Sequence, residues 1–449
     1  MSRKLVLTTI FVAVLICMLG LSFKVQRVEA SGTIYIEADG SVYPVGSPIS
    51  TLDNVTYWLT SDASYSIVIL RDNIVFNGSR YKILGPGSGY GINATQRTNV
   101  TICDVQVTGF DYGIWLYESS NSTVSGNIVS ECNWNAITIH YSTGSKVSYN
   151  NVIYNYQGIM VAHSFFNILS NNNITNNRGG YAFDIDHDSH HNLIYENLEN
   201  NNTLFPGGGV YLAPYSYNNT FFKNNITDRV IIHKSPNNTF FHNSFITLWQ
   251  IMSYPPGYTD IWSNIWDDGY PSGGNYWSDY TGTDYNQGSE QNISGSDGIG
   301  DTEYSINVNN TDHYPLMGMF SDFNTTSEYH VQTICNSTIS NFQFNDTAIR
   351  FNVSGENGTT GFCRICIPTS LMNGTYRVFV NGTEVSFNLL PCSNSKYSYL
   401  YFNYTHSTQE VIIIPEFPSF FILSPFMAIS LLFLTIRHKY RRRILKARG

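Results

Sequence analysis

The sequence predicts an all-β protein: a parallel β-helix, then a small β-sandwich, then a single C-terminal transmembrane helix. Three observations predict it. The first is composition: of 449 residues 48 are Asn, 35 Gly and 32 Tyr, while charged residues make up only 13%. Asn, Gly and Tyr are poor helix formers, yet hydrophobic residues at 42% can still fill a core, which argues against disorder. The second is self-similarity at a period of about 22 residues in the central third. The third is an apolar run at each end with a one-sided basic flank.

Residues 1–30 read as a secretory signal. Arg3 and Lys4 precede the apolar run from Leu5 to Phe23, and Ala30 ends a small-residue cleavage site. An uncleaved anchor is the alternative, because the run is long for a signal.

Residues 31–262 hold the repeat. Short strands begin at Gly91, Gly113, Ala136, Gly158, Ala182 and Gly209, with spacings of 22, 23, 22, 24 and 27. Strand-sized pieces separated by Asn and Gly select a parallel β-helix over a helical array. Stacking at about 4.8 Å per coil makes columns of equivalent residues. One inward column is Ile114, Ile137, Ile159, Phe183 and Val210; the next is Leu116, Ile139, Val161, Ile185 and Leu212. A second strand in each repeat opens on Asn, and Asn127, Asn151, Asn173, Asn197 and Asn225 are expected to stack as an amide ladder.

Residues 263–320, rich in Asp, Gly and Trp, are expected to close the helix. Residues 321–414 alternate in hydrophobicity, as in Ala348 to Val353 and Tyr376 to Val380, and carry Asn381-Gly382 as a hairpin signal. A small sandwich of immunoglobulin-like type is the reading. Residues 415–449 contain the 17-residue apolar run Phe420 to Ile436, closed by Arg437, Lys439, Arg441, Arg442 and Arg443. That is a stop-transfer anchor with a cytoplasmic tail.

This topology leaves 13 basic and 32 acidic residues between 31 and 436, a net charge of -19. Such a surface excludes a nucleic-acid binder built on a basic groove and suits neutral sugars or cations. About twenty Asn-x-Ser/Thr sequons, among them Asn54, Asn99, Asn173, Asn292 and Asn381, fit export. Six cysteines fall in the exported body, at 103, 132, 335, 363, 366 and 392. They allow 15 pairings, and the sequence does not choose among them.

The repeats resemble the right-handed parallel β-helix repeats of NosD-like proteins, within the wider group of carbohydrate-binding proteins and sugar hydrolases. Trp266 to Tyr280, Ser296 to Thr302 and Asp312 to Met317 are similar to the segment that follows the helix in archaeal surface members. Pro415-Glu416-Phe417-Pro418-Ser419 resembles archaeal surface anchors. The resemblance implies a cell-surface location and, through the family name, copper.

Candidate chemistry lies on the outward columns. The first is Trp115, Thr138, Met160, Asp184, Tyr211 and Ile231; the second is Tyr117, His140, Ala162, Asp186, Ala213 and His233. Rings beside polar groups are what a sugar-binding groove uses, so Trp115, Tyr117, His140, Tyr211 and His233 are expected to contact a glycan or a surface protein. Asp184 and Asp186 share a face roughly 6.5–7 Å apart by strand rise. That is the short end of the range for inverting glycosidases, and makes them the candidate catalytic pair. No Lys or Arg stands in these columns, which disfavours a lyase for acidic polysaccharides. His187, His190 and His191 form, with the neighbouring acids, a candidate transition-metal cluster that needs a turn at Asp188 to converge. Asp267, Asp268, Asp279, Asp284, Asp297 and Asp301, set among Gly and Asn, are candidate calcium ligands; the alternative is turn capping. No nucleotide-binding Gly pattern, Gly-x-Ser-x-Gly or His-Glu-x-x-His is present.

Overall fold

The computed structural model describes residues 32–202, 208–246, 251–253, 262–326, 328–345 and 347–416. The apolar runs at both ends, and with them the expected signal and anchor, lie outside the described residues. Among the described residues no helix is long and apolar enough to cross a membrane.

The chain is an all-β solenoid of about eight turns followed by small antiparallel sheets. Three long sheets of 11, 9 and 10 strands run along the solenoid, and nearly all their pairings are parallel. Successive coils contribute Tyr112–Tyr117, Asn135–His140, Gln157–Ala162 and Tyr181–Asp186 to the first sheet. The register is the one the repeat predicts: Ile114 pairs Ile137, Ile137 pairs Ile159, and Ile159 pairs Phe183. Both expected inward columns are buried without exception. Each apolar residue thus sits on an apolar residue of the coil below, and the core is one continuous rod.

The corners follow a rule of their own. Gly126, Tyr149, Asn171, Glu196, Lys223 and His242 have φ between 54° and 69°. Each is followed by a buried Asn: 127, 150, 172, 197, 224 and 243. The backbone N–H and side-chain Nδ2 of each donate to Oδ1 of the next, as in Asn150 to Asn172 at 3.1 and 3.0 Å. The remaining amide hydrogen returns to a carbonyl of the coil before, as from Asn172 to Val147 O at 2.9 Å. The ladder ends on Asn275 and then Asp312. A second ladder runs through Asn167, Asn192, Asn219, Asn238, Asn264 and Asn310. A third joins Asn155, Asn177 and Asn202 to Asp228.

One expectation is corrected here. Asn127 and Asn197 stand in the ladder, but Asn151, Asn173 and Asn225 do not. Their preceding neighbours Asn150, Asn172 and Asn224 occupy it, and the expected residues open the adjoining strands, half-buried. The ladder needs the residue directly after the positive-φ corner, and in an Asn-Asn pair that is the first one.

The solenoid is plugged at its C-terminal end. Trp266 stacks on Phe240 at 4.3 Å between ring centres, and Trp277 on Phe245 at 4.5 Å. Their indole N–H groups donate to Asn310 Oδ1 and Asp312 Oδ2 at 2.9 and 2.8 Å. One acid lies inside the rod. Glu199 takes an inward place between Ile174 and Ile226, where its carboxylate accepts the backbone N–H groups of Thr227 and Asp228, both at 3.0 Å. Room for it comes from Gly209, where an added Cβ would lie 2.8 Å from the carboxyl carbon.

Beyond residue 318 two five-stranded antiparallel sheets pack around a core that includes Val331, Phe351, Val378 and Phe402. Arg364, 2% exposed, joins this unit to the closing segment by donating to Asp297 O and Pro271 O at 2.9 and 2.6 Å.

The ladder register is testable by a pair of neighbours. Asn172→Ala removes the acceptor for two donors of Asn150, and is expected to cost about 2–4 kcal/mol. Asn173→Ala, half-buried at the strand edge, is expected to cost less than about 1 kcal/mol. Denaturant unfolding of both variants measures the difference, and equal losses contradict the assignment.

Candidate functional site

The outer face of the first sheet carries the candidate site, and the columns place its residues as the repeat predicts. Trp115 pairs Thr138, Met160 pairs Asp184, and Asp184 pairs Tyr211. Tyr117 pairs His140, and Ala162 pairs Asp186. Thr138, Ala162, Ala213 and Ile231 are buried despite their outward phase, because larger neighbours cover them. The exposed part of the face therefore belongs to rings and acids.

The rings form an unbroken string across five coils. Tyr90 stacks on Tyr112 at 5.3 Å, Tyr112 meets Trp115 edge-on at 4.9 Å, and Trp115 lies parallel to Tyr117 at 6.3 Å. Tyr117 meets His140 edge-on at 5.3 Å; His140 stacks on Tyr141 at 4.4 Å and Tyr141 on His163 at 4.7 Å. His163 then reaches His187 at 6.2 Å. Further along, Tyr181 stacks on Tyr211 at 4.6 Å, and the Tyr211 hydroxyl lies 3.3 Å from His233 Nδ1. Burial and the neighbouring His163 hold the His140 imidazole below its usual pKa, and burial and Lys234 hold His233 below its own. A neutral imidazole offers one donor and one acceptor, which suits sugar hydroxyls.

The sequence columns identified Trp115, Tyr117, His140, Tyr211 and His233 but missed Tyr90, Tyr112, Tyr141 and His163. Tyr141 and His163 sit at corners with φ of 50° and 48°. There the chain turns their rings back along the strand they have just left. The recurrence of Glu118, Tyr141 and His163 one place after the second outward column was the available signal.

Between the two ring groups lie the acids. Gln157 Nε2 donates to Asp184 Oδ2 at 2.5 Å, while Asp184 Oδ1 is buried without a partner. Burial, with the charge of Asp186 beside it, pushes the Asp184 carboxyl up to about 7. Asp186 instead faces solvent and lies 2.5 Å from His187 Nδ1. The two carboxyls thus differ in environment, the feature by which paired acids divide acid and base roles.

The expected metal clusters are not brought together. The turn at Asp188 exists, with φ of 53°, yet it sends His190 and His191 to the next corner. There His190 stacks between Phe165 and Tyr217 at 5.0 and 4.9 Å, away from Asp186 and His187. The six acids of the closing segment accept hydrogen bonds from within it. Asp284 accepts from the backbone of Asp297 and Gly298, Asp297 from Ile299, and Asp301 from Tyr285 and Asn286. Asp267 accepts from Gly269 and His313, Asp268 from Ser272, and Asp279 from the Tyr304 hydroxyl. Among the described residues no group of three or more His, Cys, Asp or Glu side chains converges to hold an ion.

The state of Asp184 has a pH signature. A folded-state pKa above the ordinary 3.8 means the native chain keeps a proton that the unfolded chain gives up. Its contribution is present at low pH and is lost as pH rises from about 4 through about 7. The melting temperature of Asp184→Asn minus that of wild type is expected to grow more positive from pH 4 to pH 8. A difference that does not change with pH refutes the protonated carboxyl.

Comparison with known proteins places this face in context. No curated protein sequence matches the chain. Among solved structures, the chain is similar to DFA-IIIase from Arthrobacter chlorophenolicus A6, at 13% identity and a TM-score of 0.29. That match covers 42% of this chain and 46% of the enzyme, so the chain spans about half of that enzyme's length. An alginate lyase from Paenibacillus sp. is similar at 13% identity, over 51% of this chain and 97% of the lyase, with a TM-score of 0.32. The tailspike of E. coli bacteriophage HK620, solved with a pentasaccharide, is similar at 9% identity, over 86% of this chain and 81% of the tailspike, with a TM-score of 0.31. The family model described as periplasmic copper-binding protein (NosD) matches residues 31–206, so the coils that carry the ring face are similar in sequence to that family.

Proposed function

We propose that the protein binds carbohydrate at the cell surface through the outer face of its first sheet. The observation that carries the reading is the string of rings from Tyr90 to His163. It presents flat apolar surfaces and imidazole rings at successive coil steps of about 4.8 Å. The body's charge of -19 supports a neutral or cationic glycan over an acidic one. A glycosidase reading is favoured by one observation, the unequal pair Asp184 and Asp186, and stands second because Asp184 Oδ1 is turned into the protein. In this reading the two-sheet unit is an immunoglobulin-like spacer, and residues 415–449 anchor it to the plasma membrane.

The exported body, residues 31–414, is expected to bind neutral oligosaccharides on a glycan array. Trp115→Ala with Tyr117→Ala is expected to weaken that binding at least about tenfold, the effect of roughly 1.4 kcal/mol. An empty array, or equal binding by the variant, overturns the reading.

Deleting residues 420–449 is expected to release a folded protein from cells. Retention on membranes after a high-salt wash would place the anchor at the N-terminus instead.

A further inference from the structure

We propose that Cys335 and Cys363 are joined by a cross-strand disulfide that staples the two-sheet unit. Strands His330–Cys335 and Thr360–Pro368 are antiparallel neighbours, and their register sets Cys335 directly opposite Cys363. Residues directly opposite in an antiparallel pair project to the same face, with Cα atoms about 4.5–5.5 Å apart. Disulfides span about 4.4–6.8 Å between Cα atoms, so no backbone movement is needed. Both side chains enter the same core, with Cys335 at 2% exposure and Cys363 at 0%.

The register of the described strands gives the other cysteines no such partner. Cys366 lies opposite Gln332 and Tyr399. Cys103 pairs with Asn77 and Ser125 in the solenoid, and Cys132 heads the third amide ladder by donating its N–H to Asn155 Oδ1. Cys392 lies outside the paired strands, and fixing the Cys335–Cys363 bond reduces the fifteen connectivities to three.

The surroundings of the two thiols differ in the folded unit. Cys335 Sγ receives the N–H of Ser337 at 3.4 Å and lies 3.2 Å from the Tyr404 hydroxyl. With the Cys363 thiol beside it, these contacts draw the Cys335 thiol below its usual range, while burial holds Cys363 above it. One of the two thiols, as its thiolate, attacks one sulfur of an exogenous disulfide, of a small thiol or an oxidoreductase, and a thiolate leaves. The other gives up its proton and attacks the chain sulfur of the mixed disulfide, and the second thiolate leaves. The chain loses two protons and two electrons, and the exogenous disulfide becomes two thiols. Because the folded pair is buried, the exchange belongs to the stage before the two sheets close.

The bond would enclose residues 336–362. That loop contains strands Thr338–Phe344 and Ile349–Ser354, which belong to the opposite sheet. One covalent link within one sheet thereby restricts the unfolded freedom of the other.

The test uses the full-length chain purified from an oxidising compartment. Free thiols are alkylated in denaturant, and unreduced peptides are mapped by mass spectrometry. A peptide pair linked through Cys335 and Cys363 is the expected result. Reductant should lower the melting temperature of the two-sheet unit by roughly 10 °C, and Cys335→Ser with Cys363→Ala should abolish that response. Peptide mapping of wild type decides even if the variant does not fold. Alkylation of both Cys335 and Cys363, or a link from either to another cysteine, overturns the proposal, as does a melting temperature indifferent to reductant.

Discussion

The backbone N–H that follows each positive-φ corner must find an acceptor in the next coil, and the solenoid depends on how it does so. At the corner the sheet's own ladder of carbonyls is interrupted. A buried amide left unpaired costs roughly 1–3 kcal/mol, and the solenoid has several such corners in every turn. Asn solves the problem because one side chain both accepts and donates. Its oxygen takes the N–H and Nδ2 of the coil before, one hydrogen of its own amide passes to the next oxygen, and the other goes back to a carbonyl. Ser119, Ser142, Ser164 and Ser189 do part of this at another corner: each successive hydroxyl oxygen accepts the backbone N–H of the coil before, and its one hydrogen goes to a carbonyl. Sixteen of the 48 Asn residues stand in the three ladders, so this requirement accounts for about a third of the Asn abundance.

The binding face follows from the same constraint. The ladders fix each coil over the last without slippage, so side chains of equal phase stack. Trp115, Tyr117, His140 and Tyr141 touch although they come from different repeats. No local motif encodes such a site, because each coil contributes only one to three groups. Glu199 shows the opposite use of a column. It breaks the apolar rod with a carboxyl whose pKa burial and Asp228 hold well above the ordinary range. The native chain tolerates it only by surrounding it with N–H donors and a glycine.

The parts legible in the sequence are those in which period and phase coincide. Ile114, Ile137 and Ile159 repeat with the coil and alternate within the strand, so both their spacing and their inward direction could be read. The ladder gave its period but not its phase, since Asn150-Asn151 and Asn172-Asn173 offer two candidates a residue apart. Only the left-handed conformation of Tyr149 and Asn171 decides between them. Trp115 and His140 lie on strands and were visible; Tyr141 and His163 lie on corners and were not. The Asp-rich closing segment was ambiguous for a different reason. Carboxylates in a Gly-rich stretch look alike whether they await a cation or cap a turn. The hydrogen bonds from residues 285, 286, 297, 298 and 299 show that backbone amides already hold Asp284, Asp297 and Asp301.

The tryptophan plug at the end of the rod has a consequence for how such a chain can change length. An open solenoid end is an unpaired sheet edge, which invites another chain to add itself. Trp266 and Trp277 cover that end, while Asn310 and Asp312 terminate two amide ladders from outside the coils. A new repeat joined at the terminus would have to displace this lid. A repeat duplicated in the interior meets the same Asn joint above and below, and disturbs neither end. Growth by internal duplication would lengthen the ring face by one step of about 4.8 Å per copy. The reach of the face along an extended ligand is then a quantity that heredity can adjust in units of one coil.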